Sequence, residues 1–212
     1  LQCLHLSQLV QVSGGDVRNE LQPYLAKYLQ SATQLRSLHA VSLFGSVDPD
    51  SVVLEAAFKH PNLTELNLTL NGVSSETAVV IGGYLETHLN LIHLKLNMNP
   101  AISKSIKSIT DALRYNTTLR SLELDRCIDS VTPELLEGVA QNCTLVHLSM
   151  RDGGHTTGLE NSLFQLAKSH PSLTSLELTS IPISTKHLCD FFAENTCLQR
   201  LVCHSTHDVK FI

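Results

Sequence analysis

Eight copies of the pattern LxxLxL, some with a conservative change at the last position, run through this chain of 212 residues: Leu1–Leu6, Leu35–Ala40, Leu63–Leu68, Leu91–Leu96, Leu119–Leu124, Leu145–Met150, Leu173–Leu178 and Leu198–Cys203. Their starts lie 34, 28, 28, 28, 26, 28 and 25 residues apart, and a nearly constant period of this length marks a structural unit stacked on copies of itself. In an extended segment alternate side chains face opposite sides, so the leucines at positions 4 and 6 share one face while positions 3, 5 and 7 take the other. The segment after each pattern reads as helix. Ile102, Ile106, Ile109 and Leu113 recur with 4, 3, 4 spacing, and Thr132–Pro133 and Asp48–Pro49 each read as an N-cap followed by proline at the first helical position. A strand and a returning helix in every period require parallel strands with all their leucines turned toward the helices. Neighbouring strands sit about 4.8 Å apart and packed helices about 8–10 Å, so the array bends with the sheet on the inside. The expected fold class is α/β, an open arc.

Two further sets of residues keep the same register. Three positions after the last leucine of the pattern stand Asn71, Asn99 and Cys127, although Leu9, Leu43, Gly153, Ile181 and Thr206 hold that place elsewhere. Three positions before the repeat starts lie His60, His88, Asn116, Asn142, His170 and Asn195, which read as residues that bond a helix end. With these residues the whole chain resembles the leucine-rich repeat family, in its ribonuclease-inhibitor-like class, and the stretch Ala112–Cys127 (ALRYNTTLRSLELDRC) is similar to repeats of NOD-like receptors. The resemblance implies a right-handed β-α superhelical solenoid with a concave parallel sheet and convex helices. It also implies a non-catalytic protein-protein interaction module in the cytoplasm, either the recognition end of an innate-immune receptor or an effector. Two alternatives share the repeat class: the substrate-recognition part of an F-box-type ubiquitin ligase, and a GTPase-activating protein of the Ran activator type, for which no catalytic residue can be matched here. Residues 1–212 are expected to form one domain of about eight repeats. Because neither end carries a polar cap, the chain is expected to be a fragment of a longer protein.

Charge and composition narrow the partners. The net charge is −5 with no basic run, so nucleic acid is not expected as a partner. No stretch has the roughly 18 apolar residues of a membrane helix, and LQCLHLSQLV lacks a basic leader region, so no membrane partner is expected either. The six cysteines form no CxxC pair and read as reduced thiols. Asn62, Asn67, Asn116 and Asn142 begin N-x-T sequons, but the last two fill the helix-end position and Asn67 falls within a strand, so repeat register explains them. The irregular stretches Gly14–Gly15 and Arg151–Gly158 (RDGGHTTG) lack phosphate-loop spacing, and neither GxSxG nor HExxH occurs, so no cofactor and no catalytic residue is expected. Gly14–Gly15 is the expected mobile loop in the long first repeat.

The candidate working surface is the solvent-facing side of the sheet, where the repeat grammar leaves side chains free. Positions 3, 5 and 7 of repeats four to six give His93, Lys95, Asn97; Ser121, Glu123, Asp125; and His147, Ser149, Arg151. From this grid His93, Lys95, Asn97, Glu123, Asp125, His147, Ser149 and Arg151 are the expected partner-binding residues, extended by Glu65, Glu177 and Arg200. An acidic strand between two basic ones equally suits cross-strand ion pairs, Lys95 with Glu123 and Asp125 with Arg151. Charge reversal at Glu123 and Asp125 together is expected to weaken binding without unfolding the chain. His5, His39, His93 and His147 are expected on the same face, where their ordinary pKa of about 6.5 would make binding depend on pH between about 5 and 7. His93 and His147 are two strands apart, too far to share one ion, so no metal site is expected.

Overall fold

The structure is a computed structural model that describes residues 1–6, 15–44, 48–49, 51–87, 90–128, 133–151, 160–179, 185–195 and 197–204. Eight strands form one parallel sheet in chain order: β1 Cys3–His5, β2 Ser37–His39, β3 Glu65–Asn67, β4 His93–Lys95, β5 Ser121–Glu123, β6 His147–Met150, β7 Ser175–Thr179 and β8 Arg200–His204. Between them run the helices α1 Gly15–Ser31, α2 Ser51–Phe58, α3 Ser75–Thr87, α4 Ile106–Leu113, α5 Pro133–Ala140, α6 Glu160–Ser169 and α7 Thr185–Glu194. The strand register follows the repeat alignment without a slip, Leu38 beside Leu66, Leu66 beside Leu94, Leu94 beside Leu122 and Leu122 beside Leu148. These position-4 leucines are closed off from solvent between sheet and helices. The open, helix-backed parallel sheet expected of the repeats is therefore the fold.

The helix layer completes the leucine stack. Ile81 and Leu85 on α3, Ile109 and Leu113 on α4, and Leu135, Leu136 and Val139 on α5 are all buried against it. Where α3 meets the next repeat the backbones come very close. A Cβ on Gly82 would lie 2.6 Å from the Ser108 carbonyl oxygen, and one on Gly138 would lie 2.7 Å from that of Thr110. At these two contacts, α3 on α4 and α5 on α4, glycine is needed because any larger side chain would meet backbone oxygen.

Several local expectations change. The residues Pro100–Ser105 form a 3-10 turn ahead of α4, so Ile102 enters the core from that turn while Ile106 only partly reaches it. Asp48 and Pro49 do not begin a helix, since α2 starts at Ser51. The Asp48 carboxylate instead accepts bonds from the Ser74 backbone N–H at 3.1 Å, the Ser74 hydroxyl at 2.5 Å and the Thr77 hydroxyl at 2.6 Å, so it anchors the start of α3 in the following repeat. In the long first repeat Gly15 opens α1, which at 17 residues is the longest helix among the described residues. Gly14, His88, Thr132 and the RDGGHTTG stretch after Arg151 lie outside the described residues.

Both polar registers form hydrogen-bond ladders. Asn116 donates to the Leu85 carbonyl at 2.7 Å and accepts from the backbone of Thr118 and Leu119. Asn142 repeats this with Leu113, Thr144 and Leu145. His60 takes the same role through its ring, with Nδ1 accepting from Asn62 and Nε2 facing the Ala32 carbonyl at 3.1 Å, while His170 fills the acceptor half, its Nδ1 accepting from Ser172 and Leu173 and its buried Nε2 forming no hydrogen bond. In the other ladder Asn71 bonds Ala40 and Phe44, Asn99 bonds Asn71, Val73, Leu68 and Leu96, and the Cys127 thiol donates to the Leu96 carbonyl at 2.8 Å. The sequon asparagines Asn116 and Asn142 thus spend their side-chain amides inside the protein.

Candidate protein-binding surface

On the sheet's solvent side Lys95, Asn97, Glu123, Asp125, Ser149 and Arg151 from the repeat grid form one connected network. Lys95 and Glu123 are cross-strand neighbours, and Lys95 Nζ lies 2.9 Å from Glu123 Oε1. Asn97 donates to Glu123 Oε2 at 2.9 Å and accepts the Asp125 backbone N–H at 2.8 Å. The Asp125 carboxylate takes four donors: Ser149 Oγ at 2.5 Å and the Arg151 backbone N–H at 2.9 Å on Oδ1, and Arg151 Nε and a terminal nitrogen at 2.8 and 2.7 Å on Oδ2. Arg151 also lies 3.6 Å from Glu177, whose other oxygen is 3.1 Å from Arg200. Five strands are tied together by charges of alternating sign, with the cations outermost. Both expected ion pairs, Lys95–Glu123 and Asp125–Arg151, form.

Burial sorts these residues into two groups. Asp125 and Ser149 are only 8% and 2% exposed. Asp125 holds the Arg151 guanidinium directly, and Ser149 bonds the other oxygen of Asp125. Burial alone would raise the Asp125 carboxyl, yet the bonds from Arg151 and Ser149 hold it below the ordinary aspartate range. Reversing the charge of Asp125 would strand a cation against Arg151 in a partly dehydrated site, so the expectation that Glu123 and Asp125 could both be reversed in a folded protein is corrected for Asp125. Arg151, with its side chain 47% exposed, and His93 are open to solvent, while Lys95, Asn97, Glu123 and His147 are half-buried. The His147 ring is bonded to Ser175 Oγ through Nδ1 at 2.9 Å.

The histidines do not act as one set. His39 stacks on His5 with ring centroids 4.3 Å apart, and its pKa is lowered, first by burial and next, in opposition, raised by Glu65. Of the four histidines expected on this face, His5 and His93 are exposed and His39 and His147 half-buried.

Sequence reasoning missed the crest of the loops beyond the strands. Ser42, Leu70, Met98 and Arg126 stand 28 residues apart and all have positive φ, from 53° to 60°. Each backbone N–H in this row bonds the carbonyl one strand further on, Leu70 to Asn97, Met98 to Asp125 and Arg126 to Arg151, extending the parallel pairing past the strands. Left-handed backbone at a leucine or methionine is uncommon, and Leu70 and Met98 are exposed as well. The place immediately before Asn71, Asn99 and Cys127 was the one signal in the sequence, but no side-chain preference marks it. Cys3 was also passed over: its thiol sits 3.1 Å from His5 Nε2.

Among solved structures the chain is similar to the actin-binding site 2 of leiomodin-1, with a TM-score of 0.50 and 14% identity over 81% of this chain and 87% of that one. It is also similar to human 5T4 (Wnt-activated inhibitory factor 1, trophoblast glycoprotein), with a TM-score of 0.53 and 17% identity over 81% of this chain and 60% of that one. No protein-family model matches the sequence, and no curated protein does. At these identities the likeness establishes the fold, a leucine-rich repeat solenoid with its sheet on the concave side and its helices on the convex side. No helix among the described residues is long and apolar enough to cross a membrane.

Proposed function

We propose that this chain is a non-catalytic module that binds a protein partner on its concave sheet, through His93, Lys95, Asn97, Glu123, His147 and Arg151, with Asp125 and Ser149 positioning Arg151. The observation that carries the reading is the connected network from Lys95 to Arg200, in which the buried carboxylates of Asp125 and Glu177 hold exposed Arg151 and Arg200 and half-buried Glu123 holds Lys95. A preordered array of alternating charge selects a complementary protein surface and steers its approach, while losing little side-chain freedom on binding. It lacks the continuous basic stripe that a nucleic-acid backbone requires. Leu70 and Met98, side by side at the rim, supply the apolar contact that the charged face itself lacks. The leiomodin-1 fragment is, by name, an actin-binding site, which is consistent with a solenoid of this size serving a protein partner.

Finer assignments rest on the same features. A full helix in each described repeat supports the ribonuclease-inhibitor-like class and with it the likeness to NOD-like receptor repeats. Free thiols at Cys3, Cys127, Cys143, Cys189 and Cys197 support a reducing, cytoplasmic setting. Burial pushes the Cys127 thiol up to about 12, which makes it a ladder donor and not a nucleophile.

Affinity capture on the immobilised chain tests the reading. The parent, a concave variant carrying Lys95→Glu and Arg151→Ala, and a convex variant carrying Lys59→Glu and Lys107→Glu are compared by quantitative mass spectrometry, after circular dichroism shows all three folded. A partner depleted at least about tenfold by the concave variant and retained by the convex one is the expected result. Equal retention by the concave variant removes the sheet as the binding face.

A further inference from the structure

At the other end of the concave sheet, away from the charge network, three ligand-type side chains converge. Cys3 and His5 are two residues apart on β1, so both point to the solvent side, and His39 on β2 is the direct cross-strand partner of His5. One ligand atom from each residue, a sulfur and two ring nitrogens, lies within 4.8 Å of the others. A tetrahedral ion with M–S near 2.3 Å and M–N near 2.0–2.1 Å spaces its ligand atoms roughly 3.3–3.6 Å apart. The Cys3–His5 separation of 3.1 Å is already close to that spacing, and the His39 nitrogen has to close in from within 4.8 Å of the other two. The surroundings suit a cation. His39 Nε2 lies 2.7 Å from Ser37 Oγ and 3.5 Å from Glu65 on β3, whose carboxylate accepts from Ser37 Oγ at 2.8 Å, so this side of the ring is held by Ser37 and Glu65 and Nδ1 is the His39 nitrogen left for an ion. Such an outer carboxylate orients a ligating imidazole and offsets the charge left over when one thiolate meets a divalent ion.

We propose that Cys3, His5 and His39 form a binding site for one Zn²⁺-class transition-metal ion on the concave face, with three protein ligands, Glu65 as the outer carboxylate, and a fourth position open to water. A sulfur with two imidazoles selects borderline-soft ions and gives hard cations such as Ca²⁺ or Mg²⁺ too few oxygens. The ion bridges β1 and β2, so it ties the first two repeats together.

The test uses the full chain, reduced and stripped of metal with a chelator. Titration with Zn²⁺ against a chromogenic chelator should show one equivalent bound, and Co²⁺ should develop a thiolate-to-metal charge-transfer band in the near ultraviolet. Cys3→Ser should abolish the band, and His5→Gln and His39→Gln should each weaken Zn²⁺ binding at least about tenfold, while Cys143→Ser leaves both unchanged. His5 is exposed, so its variant keeps the fold and decides the matter even where Cys3→Ser does not. Absence of stoichiometric Zn²⁺ binding, undiminished binding by His5→Gln, or displacement of Zn²⁺ by millimolar Ca²⁺ would each overturn the site.

Discussion

At the scale of single residues, the helix-end ladder shows how two unlike amino acids meet one requirement. Each ladder position needs an acceptor for the backbone N–H groups opening the next strand segment and a donor for a carbonyl of the preceding repeat. A carboxamide offers Oδ1 and Nδ2 at that spacing, and a neutral imidazole offers Nδ1 and Nε2–H, so asparagine and histidine alternate there without disturbing the chain. Histidine brings a liability that asparagine lacks. His170 is 1% exposed, and burial lowers its pKa against a weaker opposing pull from the Val139 carbonyl. The unfolded chain takes up a proton near pH 6.5 that the folded chain refuses. The stability contributed by His170 is therefore complete above about pH 6.5 and is lost as pH falls from there through its lower folded-state pKa. His170→Asn should match the parent at pH 7.5 and exceed it at pH 5 in denaturant melts, and a pH dependence identical in the two proteins would exclude this role. Asp125, whose pKa is also lowered, acts in a separate window, since its contribution is present above about pH 3.9 and is lost only below it.

At the scale of elements, the repeat pattern made the strands, their order and their register legible, because a period of 2 inside a period of 28 leaves no second way to bury Leu38, Leu66, Leu94 and Leu122 together. It also exposed both ladders, Asn71–Asn99–Cys127 and His60–Asn116–Asn142–His170. Helix starts were less legible. Asp48–Pro49 has the composition of a cap, but its carboxylate serves Ser74 and Thr77 in the next repeat, and a contact 26 residues away leaves no local mark. The same holds for Gly82 and Gly83, adjacent on α3 and alike in sequence. A methyl group on Gly82 meets backbone oxygen at 2.6 Å, whereas on Gly83 it meets nothing within 4 Å. Gly82→Ala should destabilise the protein by about 1–3 kcal/mol and Gly83→Ala should stabilise it by about 0.5–1 kcal/mol. Thermal melts of the two variants check the pair, and a shift of the same sign in both would contradict the packing of α3 on the following repeat. The loop crest gives a companion test. Leu70 holds φ at 60° while exposed, and asparagine tolerates that backbone better than leucine does. Leu70→Asn should leave stability unchanged or raise it by up to about 1 kcal/mol while weakening partner binding. A loss of more than about 1 kcal/mol would mean that Leu70 is packed.

At the scale of the whole molecule, stacking sorts side chains by position alone. Leucines turned toward the helices hold the solenoid together, and what remains on the concave side is free to be charged, so the candidate surface was largely legible as a set of residues. Its depth was not, because Asp125 shares its position with half-buried Asn97 and exposed Arg151, and Ser149 with half-buried Lys95 and Glu123, while the bonds that bury them, Arg151 to Asp125 and Ser149 to Asp125, cross between strands and leave no local mark. Nor did position reveal that Cys3, His5 and His39 converge, since their approach depends on the direct β1–β2 pairing of His5 with His39 and on the thiol of Cys3 turning toward the His5 ring, neither of which the repeat position marks. If the charge network is the working surface, partners meet the sheet and not the helices. Site-specific photo-crosslinking distinguishes the two, with a photoreactive amino acid placed at position 93 on the exposed edge of the charge network and, in a second sample, at position 115, where exposed Tyr115 follows α4 on the convex side. With a partner recovered by capture, an efficient crosslink from position 93 and none above background from position 115 is the expected outcome. A crosslink from position 115 alone would contradict concave-face binding and move the partner to the helices.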